Sequence, residues 1–217
     1  ASFALIMKAR GYNRRLFREI EREELELNLC SIQESNGITK EAIEYFSNGT
    51  EELKDDIEYL INVFTNAKEY GSIIDVKTIN VDLIEKRLVE IQKFNVEESY
   101  QINSFENEFR EIITDKLPIL LKQCKIMSKK YEICITNPPY MGNGFSEKLD
   151  LFIKQNYSAS KSDLYAVFIE KCMSNITDNG FLSMITQQSW MFISSYEILR
   201  REIQKKQLIN MIHLGTR

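Results

Sequence analysis

The residues with the clearest chemical meaning in this chain are Asn137-Pro138-Pro139-Tyr140. They follow the run 131–136, whose alternation and β-branched and aromatic residues predict a strand that ends at the two prolines. Proline has no N–H, and a residue that precedes a proline is forced into an extended conformation. The loop therefore offers carbonyl oxygens, one amide side chain and one aromatic ring. It stands at the carboxyl end of a strand, where open α/β sheets bind their ligands.

Such a loop of acceptors can activate a planar aromatic amine, for example the exocyclic amine of adenine. The lone pair of that nitrogen is delocalised into the ring, which makes it a poor nucleophile. If the side-chain oxygen of Asn137 and the carbonyl of Pro138 accept its two N–H bonds, the lone pair localises on the nitrogen. Tyr140 can stack on the base, a contact worth roughly 1–3 kcal/mol. A methyl group on a sulfonium donor can then be attacked in line, once the base has been flipped out of the duplex.

The segments around this loop predict a doubly wound α/β fold. Strands and helices alternate after the loop, which implies a parallel sheet with helices on its faces. The predicted elements there are strand 131–136, helix 147–155, helix 162–175, strand 180–186, helix 189–205 and strand 208–214. The region before the loop is mainly helical. Its predicted elements are a helix over 2–24 broken near Gly11, a strand over 27–33, helices over 39–46 and 50–68 that begin at Thr39 and Thr50, a strand over 71–76 and two helices between 81 and 127, the second kinked or divided at Pro118.

The composition is that of an ordinary globular protein. Of the 217 residues, 43% are hydrophobic and 28% are charged. No apolar run approaches the roughly 20 residues that cross a bilayer, so we expect no membrane contact. The four cysteines lack C-x-x-C spacing and there is one histidine, which favours a cytoplasmic protein without a disulfide framework or a metal site. A net charge of −4 argues against strong DNA binding by charge alone.

The loop and several further segments carry a family resemblance. Asn-Pro-Pro-Tyr after a hydrophobic strand resembles the catalytic motif of amino-methyltransferases that act on adenine in DNA. The wider sequence resembles the PglX methyltransferases of bacterial phage-exclusion (BREX) systems. The segments that carry this likeness are Thr136–Gly142, Lys161–Glu170, Met184–Trp190 and His213–Gly215, together with Phe3–Arg10, Ile32–Gly37 and Ala67–Ser72 upstream.

The resemblance implies a function and a set of site residues. It implies S-adenosylmethionine as methyl donor, no metal, double-stranded DNA with a flipped adenine as substrate, and other phage-defence proteins as partners. The catalytic residues implied are Asn137, Pro138, Pro139 and Tyr140. Asp163 and Tyr165 lie in a later segment of the family that lines the substrate pocket. The fold implied is a partial Rossmann-like S-adenosylmethionine-dependent methyltransferase fold with a helical insertion.

Two features of the family pattern are missing. Relatives carry a glycine-rich donor-binding loop after the first strand and an acidic residue after the second, and the family order places both before Ala1. Gly142 and Gly144 follow the catalytic loop and are too few to hold a cofactor. We therefore expect a piece of a longer protein that does not methylate alone. Its expected segments are 1–37, the N-terminal part of a truncated methyltransferase domain with a helix and a strand; 38–129, a mainly helical insertion with one strand; and 130–217, the catalytic α/β half.

Simpler interpretations exist for several of these residues. The double proline can be a plain strand-ending turn, and Asp163 can simply accept N–H bonds at the start of its helix. Trp190 suits a core position better than a stacking platform, and His213 suits a structural role. Glu34 is equally consistent with a position near the adenine of the methyl donor and with an ordinary carboxylate at a strand end. A non-catalytic DNA- or partner-binding module is the alternative function.

Overall fold

The computed structural model describes residues 2–22, 25, 27–93 and 104–215, and most of these residues are helical. Ten α-helices and two strands are present in these ranges, together with short 3-10 turns at 71–73, 188–191 and 194–196. The elements are α1 Ser2–Tyr12, α2 Leu16–Glu21, α3 Lys40–Ser47, α4 Glu51–Val63, α5 Ala67–Tyr70, α6 Val81–Lys93, α7 Ser104–Met127, β1 Tyr131–Thr136, α8 Glu147–Asn156, α9 Leu164–Asn175, β2 Ile176–Met184 and α10 Glu197–Gln204.

The N-terminal helix predicted over 2–24 forms as two helices, α1 and α2. The break falls just after Gly11, at residues 13–15. The side chain of Asn13 stabilises it, because its Nδ2 donates to Glu19 and its Oδ1 accepts from the backbone N–H of Arg15. Residues 23 and 24 lie outside the described residues.

Helices α3 to α7 share the largest apolar core of the described chain. The fully buried side chains of this core include Phe46, Leu60, Phe64, Ile84 and Leu120. Leu60 and Phe64 follow the helical pattern in which apolar residues recur at intervals of three and four. Three details of this region differ from the sequence-based prediction. The helix predicted over 50–68 ends at Val63, and a separate helix, α5, begins at Ala67 after Asn66, which adopts a left-handed conformation. The hydroxyl of Thr50 accepts no capping bond although Thr50 stands at the N-cap of α4, and Pro118 does not divide α7.

Residues 27–33 were predicted to form a strand, and this prediction is wrong. No strand forms there, because neither of the two strands in the described residues pairs with this segment. At Gln33 the side chain of Gln123 binds the backbone in place of a neighbouring strand. The Oε1 of Gln123 accepts from the N–H of Gln33 at 2.7 Å, and the Nε2 of Gln123 donates to the carbonyl of Gln33 at 3.2 Å. Gln123 is fully buried on α7. Its amide thus holds residue 33 as a strand partner would.

Replacing Gln123 with leucine should lower the free energy of unfolding by about 2–4 kcal/mol. Leucine fills a similar volume but leaves the N–H and carbonyl of Gln33 without their partner, and each such loss costs about 1–3 kcal/mol. Urea denaturation measures the change. Gln155→Leu on the exposed face of α8 is the matched control and should change stability by less than about 0.5 kcal/mol. Equal stability of the Gln123 variant and the unchanged protein would contradict a structural role for these two bonds.

The strand predicted over 71–76 is also absent. A 3-10 turn covers Gly71–Ile73, and side chains bind the segment that follows. Tyr157 donates a hydrogen bond to the carbonyl of Ile73, and Lys171 contacts Asp75 at 2.8 Å. Ile73 and Ile74 are both buried and belong to different apolar clusters. The helical region and the segment after β1 therefore meet along these residues.

Strands β1 and β2 form a parallel pair, as the sequence predicted for 131–136 and 180–186. Helices α8 and α9 connect them, and the register places Thr136 opposite Met184. Because the strands are parallel, both carboxyl ends lie at the same edge of the sheet. The loop after Thr136 and the loop after Met184 therefore begin side by side, which positions the candidate site.

The last predicted elements form only in part. The helix predicted over 189–205 forms as two 3-10 turns and the shorter α10. The strand predicted over 208–214 is wrong: these residues are exposed and form no ladder with the two strands described here. A hydrogen bond joins His213 to Gln188. None of the helices in the described ranges has the length and apolar character needed to cross a membrane.

Candidate active site

The loop Asn137–Tyr140 leaves β1 at the edge where both strands end. Pro138 is buried, whereas Asn137 and Pro139 are exposed and Tyr140 keeps 46% of its surface accessible. The backbone is thus anchored at Pro138 while the amide and the aromatic ring face outward. This exposure is what an acceptor loop for an external molecule requires.

Two contacts fix the ring of Tyr140. Its hydroxyl donates to the carbonyl of Ile185, just after β2, at 3.2 Å. Its ring meets the ring of Tyr165 edge to face, with centroids 6.0 Å apart and planes at 86°. This is a favoured aromatic geometry. Tyr140 is therefore held from the second strand and from α9 while nearly half of its surface stays free.

Tyr165 lies behind Tyr140 and is fully buried. Its hydroxyl shares a hydrogen bond of 2.8 Å with the Oγ of Ser189, and its ring lies 6.1 Å from that of Tyr196. Burial raises the pKa of Tyr196, and a hydrogen bond with Tyr165 adds to the increase. The phenol of Tyr196 thus packs as a neutral group, and Tyr165 contacts the loop through the ring of Tyr140.

Asp163 is the N-cap of α9, and its Oδ1 accepts from the N–H of Tyr165 at 3.2 Å. This confirms the sequence-based expectation that Asp163 accepts backbone N–H bonds at the start of its helix. The same oxygen also accepts from the N–H of Met141 at 3.0 Å, one residue after the loop. The carboxylate therefore joins the loop to the helix.

The thiol of Cys172, which lies beside β1, is not a nucleophile at neutral pH. Cys172 on α9 is buried and hydrogen-bonds with Cys134 on β1. Burial raises the pKa of the Cys172 thiol to about 12, and the neighbouring Cys134 adds to the increase. The thiolate is the reactive form of cysteine, so this thiol packs as an inert group.

Comparison with known protein families assigns the chain to a family of methylases. The family of Eco57I restriction-modification methylases matches residues 2–217. The chain belongs to this family. The methylase match agrees with the mixed helix and strand content, and it sets the Asn137–Tyr140 loop in the context of methyl transfer.

The methylase chain is similar over its length to two curated proteins. It is 36% identical, over 99% of its residues, to the adenine-specific methyltransferase PglX of Lacticaseibacillus casei (strain Zhang). It is 32% identical, over all of its residues, to the adenine-specific methyltransferase BrxX of Escherichia coli O9:H4 (strain HS). The resemblance to PglX is thereby confirmed. The chain spans 17% and 19% of these two relatives. Over 41% of its residues it is 25% identical to the type II methyltransferase M.VspI of Vibrio sp. (strain 343).

Two glycines, Gly142 and Gly144, follow the methylase loop. A Cβ on Gly142 would lie 3.0 Å from the Oδ2 of Asp163, so the chain packs closely against the start of α9 at this point. Gly144 has a φ of +83° and open space around it. The described residues hold no cluster of three His, Cys, Asp or Glu side chains that could bind a metal.

The sequence did not identify several residues that support the methylase loop. These are the carbonyl of Ile185, the hydroxyl of Ser189, the N–H of Met141 and the ring of Tyr196. Ser189 lies in the segment Met184–Trp190, which resembles the family, so the sequence marked this segment as relevant. It did not indicate that Ser189 binds Tyr165. Trp190 packs against the cluster around Tyr165, and its Nε1 donates to Thr186 at 3.3 Å, as expected of a core residue. Glu34 accepts a hydrogen bond from the N–H of Lys68 at 3.2 Å.

Proposed function

We propose that this chain is the acceptor-binding part of an adenine-specific DNA methyltransferase, which transfers a methyl group from S-adenosylmethionine to the exocyclic amine of adenine. The observation that carries the proposal is the exposed Asn137 and half-exposed Tyr140, held directly after β1 in a chain of the Eco57I methylase family. The names of the relatives PglX and BrxX support adenine as the substrate.

The proposed role of Asn137 and Pro138 is to accept both hydrogens of the amine. A neutral amide oxygen and a carbonyl bind two N–H groups without adding charge. Pro138 is buried, so its backbone is fixed, while the side chain of Asn137 remains accessible. Acceptors that are already in place need no reorganisation during the reaction, which is the main advantage of a preorganised site. Pro139 completes a stretch of backbone that lacks competing N–H donors.

The proposed role of Tyr140 is to stack on a flipped adenine. The edge contact from Tyr165 and the hydrogen bond to Ile185 hold the ring in one orientation. A base that leaves the duplex loses its stacking and pairing, at a cost of a few kcal/mol. Stacking on a fixed aromatic ring recovers part of this free energy. Tyr165 contributes to the pocket as the support of Tyr140, and Asp163 belongs to the same pocket wall.

S-adenosylmethionine, when bound, supplies an electrophilic methyl group. The described residues suit the amine, so we assign no donor contact to any of them. We propose that the donor is bound by residues of the complete protein outside this sequence, as expected for a chain that spans 17% and 19% of its two relatives. The chain alone is proposed to be inactive.

The proposed fold is part of a Rossmann-like methyltransferase domain with a helical insertion. The parallel pair β1 and β2, connected through α8 and α9, supports this assignment. We propose the division 1–37, 38–129 and 130–217. The buried members of the largest apolar cluster lie between residues 42 and 124, whereas the other two clusters draw on residues 145–203 and on Ile73. This separation of cores supports the division.

The biological role proposed is phage defence, which follows from the resemblance to the PglX methyltransferases of phage-exclusion systems, and a relative that matches 99% of the chain carries the name PglX. Double-stranded DNA is the proposed substrate, and other proteins of the defence system are the proposed partners. The net charge of −4 implies that most DNA affinity comes from other parts of the complete protein.

A product assay tests the proposed function. The complete protein is incubated with duplex DNA and S-adenosylmethionine that carries a deuterated methyl group, and the DNA is digested to nucleosides for mass spectrometry. We expect deoxyadenosine with one deuterated methyl group on its exocyclic nitrogen. Heat-denatured protein is the control. A label found on cytosine, or no label in DNA while donor binding is intact, would contradict the proposal.

A further inference from the structure

Asp163 makes the contact that closes the far end of the acceptor loop. Its Oδ1 accepts two backbone hydrogen bonds, from Met141 at 3.0 Å and from Tyr165 at 3.2 Å. The residues that donate them are 24 positions apart in sequence. Hydrogen bonds to an ionised acceptor are roughly twice as strong as those between neutral groups. One oxygen therefore ties the residue after Tyr140 to the first turn of α9.

Two further contacts reinforce this junction. The N–H of Leu164 donates to the carbonyl of Met141 at 3.0 Å, so the peptide groups on either side of Met141 are both engaged. Gly142 lies against the carboxylate: a Cβ there would stand 3.0 Å from the Oδ2 of Asp163 and 3.4 Å from the carbonyl of Ser162. A methyl group at Gly142 would force the loop or the carboxylate to shift by a few tenths of an ångström.

The near end of the loop is fixed by the sheet. Thr136 pairs with Met184, and its carbonyl accepts from the N–H of Ile185 at 3.4 Å. The four residues 137–140 therefore span two fixed points, the end of β1 and the Asp163 junction. With two prolines in the span, few backbone conformations satisfy both ends. The second fixed point depends on the side chain of Asp163.

We propose that Asp163 is a positioning residue, whose carboxylate sets the conformation of the loop that presents Asn137 and Tyr140 to the substrate. This inference rests on the proposed function. It assigns Asp163 a role through the N–H of Met141 and not through contact with the base. It also separates two tasks of one side chain, the capping of α9 and the clamping of the loop.

Two substitutions separate these tasks. Serine and asparagine are about as good as aspartate at a helix N-cap. Asparagine keeps a carbonyl oxygen at the reach of Oδ1, whereas the hydroxyl of serine is one bond shorter and serves the cap without reaching the loop. In the complete protein, Asp163→Ser should lower kcat for DNA methylation about 10–100-fold, since misplacement of a reacting group by about 1 Å costs a similar factor. Asp163→Asn should stay within about 3-fold, because it restores the acceptor.

The readouts are kcat and KM for a duplex substrate, donor binding by calorimetry and the melting temperature. We expect Asp163→Ser to change kcat while donor affinity and melting temperature stay at their original values. A serine variant with full kcat would overturn the inference, because capping alone would then suffice. An asparagine variant as impaired as the serine variant would also overturn it, because the charge and not the acceptor would then matter.

A variant on the other side of the junction guards against a serine variant that does not fold. Gly142→Ala should lower kcat about 10-fold or more through the crowding at Oδ2, whereas Gly11→Ala, with nothing within 4 Å of its Cβ, serves as the matched control. Full activity of Gly142→Ala would count against the junction. Failure of the proposed function looks different: the unchanged protein would then form no methylated adenine at all.

Discussion

Replacing Asn137 with alanine should lower the rate of DNA methylation by the complete protein about 10²–10³-fold, the usual effect of removing one preorganised polar group from a transition state. The side chain is exposed next to the buried Pro138, so its loss leaves the backbone and the core intact. The amine then keeps a single acceptor and its lone pair stays in the ring. The measurement is single-turnover transfer of a labelled methyl group to duplex DNA, with donor binding followed separately by calorimetry.

Two companion variants make the Asn137 experiment specific. Asn137→Asp retains an oxygen at the same reach and should recover part of the rate. Tyr140→Phe removes only the hydrogen bond to Ile185 and should be mild, whereas Tyr140→Ala removes the stacking surface and should lower turnover more than DNA affinity. If Asn137→Ala methylates at the original rate, the assigned role of Asn137 is refuted. Loss of donor binding in the same variant would instead indicate a disrupted fold.

Local patterns predicted the elements that depend on local interactions. Helices α3, α8 and α9 begin and end close to where periodicity and capping residues placed them, because helix formation satisfies its own backbone. Helix α4 begins where it was predicted but ends at Val63, before the predicted end at residue 68. A strand is different, since its hydrogen bonds lie on another segment. The strand β1 was predicted correctly, and it pairs with β2. Residues 27–33 alternate just as well but have the side chain of Gln123, 90 positions away, in place of a neighbouring strand.

The candidate site shows the same division between features that lie within one segment and contacts that join distant segments. The loop Asn137–Tyr140 is contiguous, so residue types and the preceding strand were enough to identify it. The capping role of Asp163 was also predictable, because an aspartate before an apolar helix is typical of an N-cap. The bond from Met141 to Asp163 spans 22 positions and the bond between Tyr165 and Ser189 spans 24, so both depend on how α9 and the end of β2 pack. No pattern within one segment encodes these contacts.

The second large effect is expected at Tyr165, where Tyr165→Ala should lower the free energy of unfolding by about 3–5 kcal/mol, as for other buried aromatic residues. Tyr165 is the largest fully buried side chain in the described part of the chain, and it contacts the rings of Tyr140 and Tyr196. Proteins are stable by about 5–15 kcal/mol, so this loss is a large fraction of the total. Urea denaturation of the variant, compared with the unchanged protein, measures it.

Tyr165→Phe separates the ring from the hydroxyl. Phenylalanine keeps the edge contact with Tyr140 but leaves the Oγ of Ser189 without its 2.8 Å partner, so the cost should be about 1 kcal/mol. Methylation should then stay near its original rate, because the ring and not the hydroxyl supports Tyr140. If Tyr165→Phe instead abolished methylation while remaining folded, the hydroxyl would act in the reaction itself. Tyr165 would then have to reach the substrate despite its complete burial behind Tyr140.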